Sequence, residues 1–202
     1  MTAPQAGSGR TNQKQRTRMA IVAAARKLIG TGKEVTMPLI AEAALVSEAT
    51  AYRYFPDLPS LISEALAGDW PPPHEALTPV AESTDPVERT AFACEFLLRG
   101  ILARQGAVRA MIAATVTRPE SVRARPGVRF GLIDHALQPL ESTLGKTDPQ
   151  AFAQLKRDLA VVVSAEALFT LTDLCGLPPD EAVDSAVRTA TTLTRAALRR
   201  TQ

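Results

Sequence analysis

Apolar positions recur at steps of three and four along most of the chain, and strand-like alternation is scarce, so the pattern predicts an all-α fold. Ala20, Ile21, Ala24, Ala25 and Leu28 form a first stripe, giving a helix from Gln15 to Ile29 that Gly30 and Gly32 end. Thr36 is placed to cap a second helix, and Pro38 suits its first turn. Leu39, Ile40, Ala43 and Ala44 are the expected buried side of that helix. Leu45 and Val46 interrupt the pattern, Ser47 is a second cap, and Glu48 suits the positive end of a helix dipole. Thr50, Tyr52, Arg53 and Tyr54 follow on a short helix rich in donors and poor in apolar residues. A capped apolar helix followed by a polar, aromatic one is the layout of a helix-turn-helix, whose second helix enters the major groove. Phe55 closes this small core, Asp57 caps a fourth helix from Leu58 to Gly68, and Leu61, Ile62, Ala65 and Leu66 face inward.

Trp70-Pro71-Pro72-Pro73 is a stiff break, and the stretch to Asp85 reads as a loop. Asp85-Pro86 opens a helix to Gln105 with Ala91, Phe92, Phe96, Leu97 and Ile101 inward. Gly106 breaks it, and a shorter helix carries Val108, Met111, Ile112 and Val116. Arg118 to Pro126 reads as a loop. A helix to Leu144 follows with Phe130, Ile133, Leu137 and Leu140, kinked or divided by Pro139. Asp148-Pro149 opens a long helix ending near Cys175-Gly176, apolar nearly all round in its middle, with Glu166 inside that run and pairing with an arginine the commonest state for such an acid. Pro178 and Pro179 start a last helix to Arg200. The domain reading is a disordered basic arm over 1–14, a DNA-binding domain over 15–68, and a helical effector-binding and dimerisation domain over 69–202.

Charge sharpens the picture. Residues 1–62 hold eight Lys/Arg and four Asp/Glu, whereas the remainder holds fifteen and seventeen. A basic front on a slightly acidic body fits nucleic-acid contact through the front, and Arg10, Lys14, Arg16 and Arg18 run without an acid among them. No run of apolar residues is long enough to span a bilayer, and no signal peptide is expected, which predicts a cytoplasmic protein. Cys94 and Cys175 are expected as free thiols. His74 and His135 stand alone in the sequence, so no metal and no cofactor is expected. Neither a nucleophile motif nor a phosphate loop occurs, so no enzyme is expected.

The segment from Arg16 to Leu61 resembles the DNA-binding domain of the TetR (tetracycline repressor) family. The resemblance rests on the apolar first helix, the glycine after it, the threonine opening helix 2, Ile40-Ala41, and Ser47 followed by Thr50-x-Tyr52-x-x-Phe55. Three positions depart from that pattern: Leu45 where the turn has glycine, and Leu58 and Pro59 where a lysine and an acid stand. The resemblance implies a regulator, expected as a repressor, that binds double-stranded DNA at a palindromic operator and is released by a small, apolar effector. The expected DNA-contacting set is Arg16, Arg18, Thr36, Ser47, Glu48, Ala49, Thr50, Tyr52, Arg53 and Tyr54. Trp70, Phe92, Phe96, Met111, Phe130 and Phe169 are candidates to line an effector cavity, with ordinary core as the plainer role. In the family the last two long helices form a dimeric four-helix bundle. The matching homodimer surface here is Leu159, Val163, Val183, Ala186, Ala190, Leu193 and Ala197. A second reading keeps the fold but not the DNA: a helical sensory or protein-binding module, supported by Leu58 and by acidic Glu48 on the reader helix.

Overall fold

The computed structural model describes residues 7–117 and 127–199, with side chains from Thr11 onward, and among these no strand occurs. The expected loop 118–126 lies outside the described residues. The chain forms two compact units, one holding the N-terminal residues through Asp69 with the stretch from Ala103, the other holding Trp70–Leu102 and the stretch from Gly127.

In the first unit α1 spans Gly7–Ile29, α2 Met37–Ala43, α3 Glu48–Tyr54, α4 Leu58–Ala65 and α7 Gln105–Thr117. Helix α1 begins well before Gln15, so residues 7–14 are helical rather than a disordered arm. Gly7 and Gly9 are poor helix formers, but a helix nucleated downstream gains one hydrogen bond for each residue added. The buried face of α1 is Ile21, Ala24, Ala25 and Ile29; Ala20, expected inside, is exposed. In α2 the inward residues are Met37, Ile40 and Ala41, while Leu39 and Ala43 face out. The inward face thus lies one position away from the expected one, because Met37, adjacent to the cap, anchors it.

Each short helix starts on the side chain expected to cap it. Thr36 Oγ1 accepts from Leu39 N at 3.4 Å, Ser47 Oγ from Thr50 N at 3.2 Å, and Asp57 Oδ1 from Ser60 N at 2.7 Å. Ala51, Phe55, Leu61, Ile62 and Ala65 join the α1 and α2 residues in one core. The sequence pattern puts α7 with the C-terminal part. Instead it packs on α4, because Ala107 and Met111 complete this core. Its first turn lies on the backbone between α1 and α2. A Cβ on Gly106 would stand 1.7 Å from the carbonyl oxygen of Lys33, so only glycine fits that approach.

In the second unit α5 spans Pro73–Ala76, α6 Pro86–Ala103, α8 Val128–Ala136, α9 Gln138–Glu141, α10 Leu144–Thr147, α11 Pro149–Val162, α12 Ala165–Phe169 and α13 Pro179–Arg199. The stretch between Trp70 and Asp85, read as a loop, also holds a 3₁₀ turn at Thr78–Val80. Pro139 does divide the helix that follows Gly127, and α8 and α9 are separate. On α6 the buried residues are Pro86, Arg89, Thr90, Ala93, Cys94, Leu97, Leu98 and Ile101; Ala91, Phe92 and Phe96 are half-buried.

The long helix expected from Pro149 to Cys175 is broken. Val163 has φ −80° and ψ 66°, and Ser164 N donates to Val162 O at 2.9 Å, which is an inverse γ-turn. Ser164 is extended, its Oγ accepts from Ala167 N at 3.0 Å, and α12 starts there. A π turn over Thr170–Leu174 continues α12, and Leu177 N donates back to Leu171 O at 3.1 Å around Gly176 at φ +68°. Glu166 is half-buried, and Arg129 is its ionic partner at 3.5 Å.

Helices α11 and α13 pack against each other within the one chain. Leu159, Val163, Val183, Ala186 and Ala190 are each at most 1% exposed as a result. The small residues of α13 thus admit α11 of the same chain. These five positions are intramolecular core and not a surface for a second copy; of the expected dimer set only Leu193 and Ala197 remain half-exposed.

Candidate nucleic-acid interface

Helix α3 is held from one side only. Ala51 is fully buried and Phe55, its C-cap, is 2% exposed, which fixes the rotation of the helix. The opposite side carries Glu48, Ala49, Tyr52 and Arg53, all exposed and spaced so that they share one helical face. Thr50 and Tyr54 flank that face, half-buried. The N-terminal end is rigid: Ser47 Oγ accepts from Thr50 N and lies 2.9 Å from Thr50 Oγ1. Ser47 remains exposed, so a cap and a phosphate contact are compatible at this position. Thr36 plays the corresponding part at the start of α2 and is half-buried.

Arg18 was expected on DNA but is engaged inside the unit. Its Nη1 donates to Tyr54 O at 3.1 Å, its Nη2 pairs with Glu64, and its guanidinium lies 4.3 Å over the Phe55 ring. These contacts tie α1 to the end of α3 and to α4. The attraction of Glu64 and of the ring's negative face holds the cation where the reader helix ends. Arg16 is exposed on α1.

Extension of α1 adds Thr11 and Gln15, which the sequence analysis did not place at the interface, beside Lys14 and Arg18, which it did. Thr11, Lys14, Gln15 and Arg18 fall at helical steps of three and four. With Arg53 and Tyr54 they line a groove of about 400 Å³ between the early turns of α1 and the end of α3. Lys14 and Arg53 give that groove two exposed cations. The spacing of Thr11, Lys14, Gln15 and Arg18 was visible in the sequence, but only if the helix is taken to start before Gln15. The two most unusual turn residues also resolve. Leu45 sits at φ +56° and is 93% exposed, so the turn keeps the left-handed conformation that glycine normally supplies. Leu58 packs on the core of the unit, so its apolar side chain has a structural role where a cation would reach outward.

The six aromatic and sulfur side chains proposed for an effector cavity are divided between the two units. Met111 is 4% exposed in the core of the first unit, and Phe130 is 57% exposed in the second. Trp70 meets Phe96 edge-on at 6.1 Å and covers Gly100, and Phe92 and Phe169 are half-buried. Among the described residues no group of acids, histidines and cysteines could hold a metal ion, and no helix is long and apolar enough to cross a membrane.

Residues 21–65 match the family model described as bacterial regulatory proteins, tetR family. Neither the curated proteins nor the solved structures yield a match. The matched segment runs from the buried Ile21 of α1 to the buried Ala65 of α4 and contains all of α2 and α3. That match, and the helix-turn-helix it encloses, make residues 21–65 similar to the DNA-binding segment of the tetR family of bacterial regulatory proteins.

Proposed function

We propose that the protein is a homodimeric repressor that reads a palindromic operator with α3 and responds to a small molecule held by its second unit. The observation that carries the DNA part is the exposed face of Glu48, Ala49, Tyr52 and Arg53 on a helix locked from behind by Ala51 and Phe55. Arg53 can donate twice to a guanine edge, and Glu48 can accept from a cytosine amine. Ser47, Thr50, Tyr52 and Lys14 supply the phosphate contacts that orient the head without reading sequence. Tyr54, with its ring beside Arg53 at 5.7 Å, orients that arginine.

A single head covers little DNA, so two half-sites one helical turn apart, or a multiple, call for two copies. The second copy is held by what the chain leaves uncovered on α11 and α13, with Val161 71% exposed and Leu193 and Ala197 half-buried. Sedimentation of the wild type and of Val161→Arg, beside anisotropy titrations on duplex from upstream of its own gene, tests this reading. The wild type sediments as a dimer and binds a palindromic site. A wild type that sediments as a monomer and binds the palindrome with full affinity refutes the two-copy mechanism.

A further inference from the structure

The chain has two histidines, and both line one cavity of about 490 Å³ in the second unit, with Ser83, Arg89, Gln138 and Pro139. Their separation in sequence hides this, because α5 packs on α8 and brings His74 near the last turn of α8, where His135 lies. Arg89 is the unusual member. It is only 3% exposed, yet every partner it has is a neutral carbonyl. Nε donates to Ala136 O at 3.2 Å, Nη2 to His135 O at 2.7 Å, and Nη1 to Val80 O and Ala81 O at 2.9 and 3.1 Å. Nη2 has two N–H groups, and the second has no acceptor among the described residues. Two of the carbonyls belong to the end of α8, whose dipole offsets roughly half a charge at most. Buried guanidinium groups are ordinarily paired with an acid, and no acid among the described residues pairs with this one.

We propose that this cavity binds a small oxyanion, a carboxylate or phosphate group, against Arg89, with His74, His135 and Gln138 as further donors. Two acids stand nearby. Glu75 is 3.8 Å from His74, and Glu88 accepts from Ser83 Oγ at 2.5 Å. Both are exposed, so water and salt screen them, whereas the Arg89 charge is sheltered. Asp134, next to His135 on α8, is paired with Lys156 at 2.8 Å. Burial, then the Arg89 and His74 charges, holds the His135 imidazole below its usual pKa. A bound anion opposes the Arg89 and His74 contributions and so favours the protonated ring. Binding at this site stands apart from DNA recognition. That its ligand is the effector rests on the regulator reading, and the test below uses no DNA, so the two fail separately.

Because no other histidine exists in the chain, the two ring Hε1 signals report on this cavity alone. Full-length protein is titrated with citrate and, separately, with inorganic phosphate, ionic strength being held constant with chloride. The expected result at about pH 7 is saturable movement of both signals, that of His135 toward its protonated position. Saturation by citrate alone assigns a carboxylate ligand, and saturation by phosphate alone a phosphoryl one; either supports the site. Arg89→Met removes a tie between backbone segments and risks unfolding, so His74→Ala and Gln138→Ala are the informative variants; both side chains are exposed. Each is expected to raise the midpoint about tenfold, as the loss of one charge-assisted or polar contact implies. Shifts that chloride alone reproduces, or that never saturate, overturn the proposal, as does a midpoint unchanged in both variants.

Discussion

Gly106 offers the sharpest test of how the first unit is built. An alanine in the first turn of a helix ordinarily stabilises it relative to glycine, by up to about 1 kcal/mol. Here its Cβ would lie 1.7 Å from Lys33 O, 2.5 Å from Lys33 C and 3.1 Å from Glu34 N. Non-bonded heavy atoms settle at about 3.5 Å, so one of two backbones must move by nearly 2 Å. The obstacle is backbone rather than the end of a flexible side chain, so the cost belongs at the upper end of the overpacking range, about 3 kcal/mol. Subtracting the helix gain leaves Gly106→Ala destabilising by about 2 kcal/mol. In urea unfolding followed by far-ultraviolet dichroism, that lowers the midpoint by about 1 M for an ordinary denaturant slope. The sign decides the matter. A variant as stable as the wild type, or more so, means that α7 does not rest on the α1–α2 turn.

Further outcomes follow from the same geometry. Leu45→Gly removes the left-handed penalty of about 1–2 kcal/mol and loses no packing, since Leu45 is 93% exposed; the looser unfolded chain returns part of this. The net expectation is a stabilisation of about 0.5–1 kcal/mol in the same melt, and a destabilised variant contradicts the strain. Arg18→Met is expected to cost about 1 kcal/mol of stability while leaving the salt dependence of DNA binding unchanged, because its partners are Tyr54, Glu64 and Phe55. Lys14→Ala should do the reverse, shallowing the log–log salt slope by about 0.9 with little change in melting. Cys94 is buried, and burial with the nearby Glu95 charge pushes its thiol up to about 12, whereas Cys175 is exposed. Titration with an aromatic disulfide at neutral pH should therefore release one thiol equivalent per folded chain and a second only on unfolding.

The features legible in the sequence are those with local causes. Thr36, Ser47 and Asp57 cap their helices as read, because a cap is a contact between residues three apart. Pro139 divides its helix for an equally local reason. What escaped depends on distant partners. The break at Val163–Ser164 falls inside an apolar run with good helix periodicity, and only Ser164 hints at a new start. The stripe of Val183, Ala186 and Ala190 was correctly read as a close helix contact, but periodicity cannot say whether the partner is the same chain or a second one. Here it is α11 of the same chain. Arg89 carried no sequence signal, since its carbonyl partners come from the 80–83 turn and from the end of α8. Of the residues expected at DNA, those on α3 share one outward face because the cap and buried Ala51 fix the helix; Arg18 differs because Glu64, 46 positions away, pairs with it.

The most direct test of the central claim compares the wild type with a Tyr52→Ala/Arg53→Ala double variant in one anisotropy experiment. Each is titrated onto duplex from upstream of its own gene and onto a scrambled duplex of equal length, at matched salt. Both side chains are exposed and outside the core, so the variant should fold normally, which dichroism checks. The wild type is predicted to prefer the native duplex, and the variant to bind both duplexes alike, at the level of non-specific association. A folded variant that keeps the wild-type preference would show that the outward face of α3 is not what reads the DNA.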